Sequence, residues 1–150
     1  MSEHRATIQW ARKGEPFTYE TYGRTHRWHF HGGAEVEASA APEYRGDASL
    51  PNPEEGLVAA LSSCHMLTFL AIAARKRLVV ESYSDDAVGH MEKNAEGKLA
   101  VTRVELRPRI VFSGERQPTP DEIAKLHESA HHGCFIANSV RTEVTVVPVD

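Results

Sequence analysis

The segment Leu57 to Ala74, LVAALSSCHMLTFLAIAA, contains no Asp, Glu, Lys or Arg. A run this long and this apolar has few places to go. It can span a bilayer, for which it is about the minimum length, or form a helix covered by protein on all sides. Ser62, Ser63 and His65 stand at its centre, and the rest of the chain reads as soluble sheet. A long central buried helix is therefore expected, with no membrane contact. Its ends are marked. Asn52 suits the N-cap, Pro53 the first helical position, and Glu55 completes a capping box with Asn52. Glu54 and Glu55 favour the positive end of the helix dipole, and Arg75, Lys76 and Arg77 the negative end. The helix so delimited has about 24 residues and is about 36 Å long.

Strand signals surround it. Ala6–Trp10, Phe17–Tyr22, Arg27–Phe30 and Glu35–Ala38 are short β-compatible runs punctuated by Gly14, Gly23, Gly32 and Gly33. Residues 41–51 read as a loop. Leu78–Glu92 is strand-rich, with Gly89 a candidate bulge, and Asn94–Gly97 is a hairpin turn. Leu99–Phe112 is the clearest strand. Val104, Leu106, Pro108, Ile110 and Phe112 alternate with Arg103, Glu105, Arg107 and Arg109. Pro108 demands an edge or a bulge. A second helix opens on Thr119, Pro120 and Glu122 and runs to about His132, with Gly133 as its stop. Thr142–Val147 is a last strand. The order predicts an α+β fold, a single domain over residues 1–150, with antiparallel sheets packed on the two helices.

The net charge of -4, with scattered basic residues, argues against a nucleic-acid binder. MSEHRATIQW is no secretory signal, so a reducing cytoplasm is expected. Disulfides there are transient and catalytic rather than structural. The chain has two cysteines, Cys64 and Cys134. Two readings compete: inert buried cysteines, the commoner fate, or a redox pair. Cys64 falls near the middle of the long helix, beyond reach of the dipole at its N-terminus. Apolar surroundings would raise its pKa, so a reactive Cys64 needs help from elsewhere. His65 points about 100° away around the helix, which makes a nearby Arg the better candidate.

Asn52-Pro53-Glu54-Glu55, the apolar run into Ser62-Ser63-Cys64-His65, and the late Cys134-Phe-Ile-Ala-Asn-Ser-Val resemble the osmotically inducible/organic hydroperoxide resistance (OsmC/Ohr) family, nearer its OsmC-like branch. Tyr83–His90 resembles the strand after that family's central helix. The resemblance covers the chain from about Tyr44 onward. It implies an intertwined homodimer with sites at the subunit interface, and peroxidase chemistry on organic hydroperoxides in oxidative-stress defence. Cys64 would attack the peroxide and Cys134 would resolve the sulfenic acid to a disulfide. An external dithiol, such as a lipoylated protein, would reduce that disulfide. Arg45 would hold the Cys64 thiolate, and Glu54 would orient Arg45. Glu54 and Cys64 are separated by about 15 Å of helix rise, so Arg45 and Glu54 of one chain are expected to serve the cysteines of the other. In the hydroperoxide branch the Arg comes from an earlier hairpin, where Arg12 and Arg24 stand without a clear match. His65-Met66 follows Cys64 where an aromatic is common.

No bound organic cofactor is implied. His26, His29 and His31, or His131 and His132 with Cys134, invite a zinc reading. Their strand and helix spacings diverge, however, and most read as surface residues, so no metal is expected. A cysteine hydrolase would need a Cys-His-Asn set that the sequence does not show. The remaining alternative is the same fold used as a binding or redox-sensing module, without peroxidase turnover, for a hydrophobic ligand or a metal.

Overall fold

A computed structural model describes residues 1–150. The chain forms two compact units, Met1–Gly56 and Leu57–Asp150. In the first, β1 (Ala6–Gln9), β2 (His26–Phe30) and β3 (Glu35–Ala38) make an antiparallel sheet in that order. Phe17–Tyr22, expected as a strand, forms turns instead. Thr18 and Thr21 satisfy the local backbone: the Tyr22 N–H donates to the Thr18 carbonyl at 3.0 Å, and the Thr18 N–H to Thr21 Oγ1 at 3.2 Å. The turn also brings Phe17 and Tyr22 together, ring centroids 5.2 Å apart, with Trp10 beside both.

A single 3-10 turn, Pro42–Tyr44, ends at Arg45 in the left-handed region (φ 65°). The next residue has to be glycine. A Cβ at Gly46 would fall 1.6 Å from the Ala40 carbonyl oxygen.

Helix α1 (Pro53–Arg75) starts at the end of the first unit and continues through the second. Its capping box is present: the Glu55 N–H donates to Asn52 Oδ1 at 2.9 Å, and the Asn52 N–H to Glu55 Oε1 at 3.1 Å. It closes in a Schellman motif, with Arg77 N–H to the Ala74 carbonyl and Leu78 N–H to the Ala73 carbonyl, both at 3.0 Å. Arg77 occupies the left-handed position (φ 60°) usually given to glycine.

Beyond α1, β4 (Val79–Asp85) pairs antiparallel with β7 (Pro108–Ser113). β5 (Val88–Lys93), β6 (Leu99–Leu106) and β8 (Glu143–Val146) form a second sheet in that order. The β6–β8 pair is parallel, the exception to the antiparallel expectation, because α2 (Pro120–Gly133) lies in the connection before β8 and returns the chain in the same direction. The long Leu99–Phe112 run is two strands in two sheets. Pro108 has no N–H for a ladder, and the Arg107 N–H turns to Asp85 Oδ1 at 2.6 Å. The alternation itself holds, with Val104, Leu106 and Pro108 buried and Arg103, Arg107 and Arg109 exposed. Gly89 serves a close approach rather than a bulge: a Cβ there would meet Val58 of α1 at 2.6 Å, whereas the register shift falls between His90 and Met91. Helix α2 has its Thr119–Glu122 capping box, but Gly133 remains helical and Cys134 is the C-cap. A Cβ on Gly133 would meet Thr68 of α1 at 3.4 Å, an ordinary contact, and Gly133 is not a left-handed stop.

One stripe of α1, Leu61, His65, Phe69 and Ala73, is buried. Leu61 joins Val104 and Leu106 in one core cluster. Phe69 and Ala73 join Leu78, Leu126 and Ala130 in the other. The helix is thus not covered all round by its own chain. Ala59, Ser63, Leu67 and Ala71, at four-residue spacing, are exposed, Leu67 by 61%. Length and composition alone would let α1 cross a bilayer, but its buried stripe packs into these two cores.

Arg77→Gly removes the left-handed penalty at the end of α1. It is expected to raise stability by roughly 0.5–1 kcal/mol, measured by urea unfolding. An unchanged or lower midpoint would show that the Arg77 side chain offsets the strain.

Candidate functional site

The two cysteines come from opposite ends of the second unit's sequence and meet. Cys64 lies one residue before buried His65 on α1, on the neighbouring face. Cys134 caps α2 where Gly133 presses on Thr68. Both are free thiols, Cys64 partly exposed and Cys134 1% exposed. After Cys134 the chain turns tightly. The Asn138 N–H donates to the Cys134 carbonyl at 3.0 Å, the Ser139 hydroxyl to the Phe135 carbonyl at 2.7 Å, and the Asn138 amide to the His132 carbonyl at 3.1 Å. These bonds leave the amides of residues 135–137 facing the two sulfurs. The Ala137 N–H lies 3.4 Å from Cys134 Sγ, and the amides of Ile136 and Phe135 face the Cys64 sulfur.

The surroundings separate the two thiols. Burial pushes the Cys64 thiol up, but hydrogen bonds from the Ile136 amide, the Cys134 thiol and the Phe135 amide, with Thr68 beside it, outweigh that and leave its pKa below the ordinary value. Thr68 has one hydroxyl proton, and the Cys64 carbonyl claims it at 2.8 Å, so the backbone amides and Cys134 are the effective donors. Burial pushes the Cys134 thiol up, and the neighbouring Cys64 sulfur, accepting its proton, pushes it further. Cys64 is the more acidic thiol and the more accessible one. Fixed amide dipoles are among the groups that lower the Cys64 thiol.

Arg45 and Glu54 both belong to the first unit, and no ion pair joins them. The Arg45 guanidinium lies 5.6 Å from the Tyr19 ring centroid. Glu54 lines an apolar cleft of about 470 Å³ whose walls include Trp10, Phe17, Tyr22, Tyr44 and Arg24. Arg24 is the better fixed cation. Its guanidinium lies 3.6 Å from the Tyr22 ring centroid and donates to the Tyr19 carbonyl at 2.6 Å and to the Tyr22 carbonyl. Sequence spacing offered no match for Arg24. The available signal was its place beside Tyr19 and Tyr22, whose rings can stack on a guanidinium.

Sequence reading also missed a buried histidine pair. His65 and His127 are 1% and 4% exposed, and His65 Nε2 lies 3.0 Å from His127 Nδ1. The sign was position: His65 recurs with Leu61, Phe69 and Ala73 on one helical stripe. No group of three His, Cys, Asp or Glu side chains is placed to hold a metal ion.

A sequence profile for OsmC-like proteins matches residues 46–148. An OsmC-like protein of unknown function from Vibrio cholerae is 51% identical over 99% of this chain and all of its own, with a TM-score of 0.96. The chain belongs to the OsmC-like family. It shares its fold with an organic hydroperoxide resistance protein from Elizabethkingia anophelis (20% identity, TM-score 0.76, 100% and 97% of the two chains covered). The same holds for the organic hydroperoxide resistance protein OhrB of Bacillus subtilis (13% identity, TM-score 0.70, 99% and 98% covered). No curated protein matches the chain.

Alkylation with iodoacetamide at graded pH, read peptide by peptide, tests the polarity of the pair. Cys64 is expected to titrate below an ordinary thiol and Cys134 above it. The reverse order would contradict the geometry.

Proposed function

We propose that the protein is a thiol-dependent peroxidase that reduces organic hydroperoxides in oxidative-stress defence. The observation that carries this reading is the contact between a partly exposed, acidified Cys64 and a buried Cys134 of raised pKa. The Cys64 thiolate attacks the terminal peroxide oxygen. The O–O bond breaks, the alcohol leaves with a proton, and Cys64 becomes a sulfenic acid. The Cys134 sulfur then attacks Cys64, water leaves, and an intramolecular disulfide forms. An external dithiol, such as a lipoylated protein, restores both thiols by exchange. A reducing cytoplasm supplies such dithiols. The shared fold of the two organic hydroperoxide resistance proteins supports the substrate class.

The proposal extends to a homodimer. The face of α1 at Ala59, Ser63, Leu67 and Ala71 is uncovered, and a second copy would cover it. Arg45 and Glu54 of one subunit would then complete the site around the cysteines of the other. Arg24 competes with Arg45 for the role of the cation, because it shares a cleft with Glu54. That cleft also favours the second reading, a module that holds a hydrophobic ligand without turnover.

Loss of cumene hydroperoxide in the presence of dihydrolipoamide separates these readings. Turnover is expected for the wild type and none for Cys64→Ser. Cys134→Ser should react once and stall as a sulfenic acid. Whichever of Arg24→Met and Arg45→Met lowers the rate by about 100-fold, a usual loss for one electrostatic donor, identifies the cation. No turnover with any dithiol would favour the binding module, and full activity in Cys64→Ser would exclude Cys64 as the nucleophile.

A further inference from the structure

The buried histidine pair joins the two helices that carry the cysteines. The rings of His65 on α1 and His127 on α2 lie within 9° of one plane, with centroids 5.3 Å apart and facing nitrogens 3.0 Å apart. The centroid separation is close to the nitrogen contact plus one ring radius at each end, so the rings meet edge to edge through an N–H···N bond. That bond requires both imidazoles to be neutral, or the pair to share one proton. The outer nitrogens, His65 Nδ1 and His127 Nε2, are buried without a partner, as is the Tyr83 hydroxyl. Whichever ring donates, an unpaired N–H and a bare nitrogen face the interior, and a second proton would add an unsolvated cation.

The neighbours do not relieve this. On α2, His131 disfavours the His65 cation, as His127 does. On β4, Asp85 favours it, but Asp85 already accepts from the Ser62 hydroxyl at 2.5 Å and the Arg107 amide at 2.6 Å. Tyr83 on β4 is a neutral phenol whose pKa burial raises. β7 adds Ile110 and Phe112 to the adjoining core, and Phe69 of α1 packs on the His127 ring at 4.6 Å. Burial therefore lowers both imidazoles to about 4 from the ordinary 6.5.

We propose that the His65–His127 bond is an acid-released brace: it holds the end of α2, and with it Cys134, against Cys64, and protonation lets that end come away before the whole chain unfolds. The geometry gives the consequence. His65 adjoins Cys64, and His127 lies two turns before Cys134. Between them, Gly133 lies against Thr68 of α1, where an added Cβ would be in contact at 3.4 Å. A released α2 terminus withdraws the resolving thiol and its amide donors together. The sign follows from the folded values being low. The closed form is favoured in full above pH 6.5, and opening gains on the order of tenfold per pH unit for each released imidazole as the pH falls from 6.5 toward 4. The inference gives the redox pair of the proposed function a switch, yet closure is measurable without peroxide.

The test is labelling of Cys134 by 4,4′-dithiodipyridine, which reacts in acid, in Cys64→Ser protein, normalised to the urea-unfolded chain. The normalised rate is expected to rise at least about tenfold between pH 6.5 and 4.5 while far-ultraviolet circular dichroism stays native. The rise should be absent when His65→Leu and His127→Leu are added. A flat profile with the histidines present, or the same rise without them, overturns the brace. Should the double leucine variant not fold, the ¹⁵N shifts of the imidazoles in the wild type decide: titration of both near 6.5 overturns the proposal, and depressed titration that coincides with Cys134 labelling supports it. Because no peroxide is used, this result stands or falls apart from the peroxidase reading.

Discussion

The second unit is organised by one stripe of α1. Leu61, His65, Phe69 and Ala73 recur every fourth residue and are the positions this helix buries. Leu61 enters the core beneath β6, and Phe69 and Ala73 enter the core formed with α2, β4 and β7. Truncating a side chain as well buried as Phe69 costs about 3–5 kcal/mol, a large part of an ordinary domain's stability. The stripe therefore fixes the rotation of α1. Once that rotation is set, Cys64 is held on the flank where α2 ends and the Cys134 turn begins.

That turn gives two chemically identical side chains different characters. A hydrogen bond to a charged group is worth about 1.5–3 kcal/mol, and one pKa unit corresponds to about 1.4 kcal/mol. A few amide donors aimed at one sulfur can thus overcome the burial that would otherwise silence a thiol in an apolar helix. Burial also raises Cys134, the Ala137 amide opposes it only in part, and Cys134 gives its proton to its neighbour. The two thiols thereby differ in acidity, Cys64 lowered and Cys134 raised. An arginine arriving from elsewhere would add to a polarity already present.

Much of this was legible in the sequence where local rules decide. Asn52-Pro53-Glu54-Glu55 and Thr119-Pro120-Asp121-Glu122 announced their helices because capping is a matter of three or four adjacent residues. The alternation through Leu99–Phe112 announced its buried face. What was hidden depends on residues far apart in the chain. Phe17–Tyr22 has strand-like residues, but threonine hydroxyls and the approach of Trp10 turned it. Gly89 read as a bulge, yet it is glycine because α1 passes too close for a Cβ, and Gly133 read as a stop, yet it stays helical. The parallel entry of β8 follows from a crossover that periodicity does not encode. At the site, the cysteines were legible as a pair. The amides that lower the Cys64 thiol were not, since backbone donors leave no mark on side-chain identity, and the His65–His127 bond spans 62 residues.

In the proposed reaction Cys64 reacts first and Cys134 of the same chain closes on it. Mass spectrometry after one equivalent of organic hydroperoxide, with digestion under non-reducing conditions, tests it directly. The expected result is a loss of two hydrogens from the intact chain and a single cross-linked peptide joining Cys64 to Cys134. An added oxygen retained on Cys64 with Cys134 still a free thiol, or a disulfide linking two chains, would contradict it.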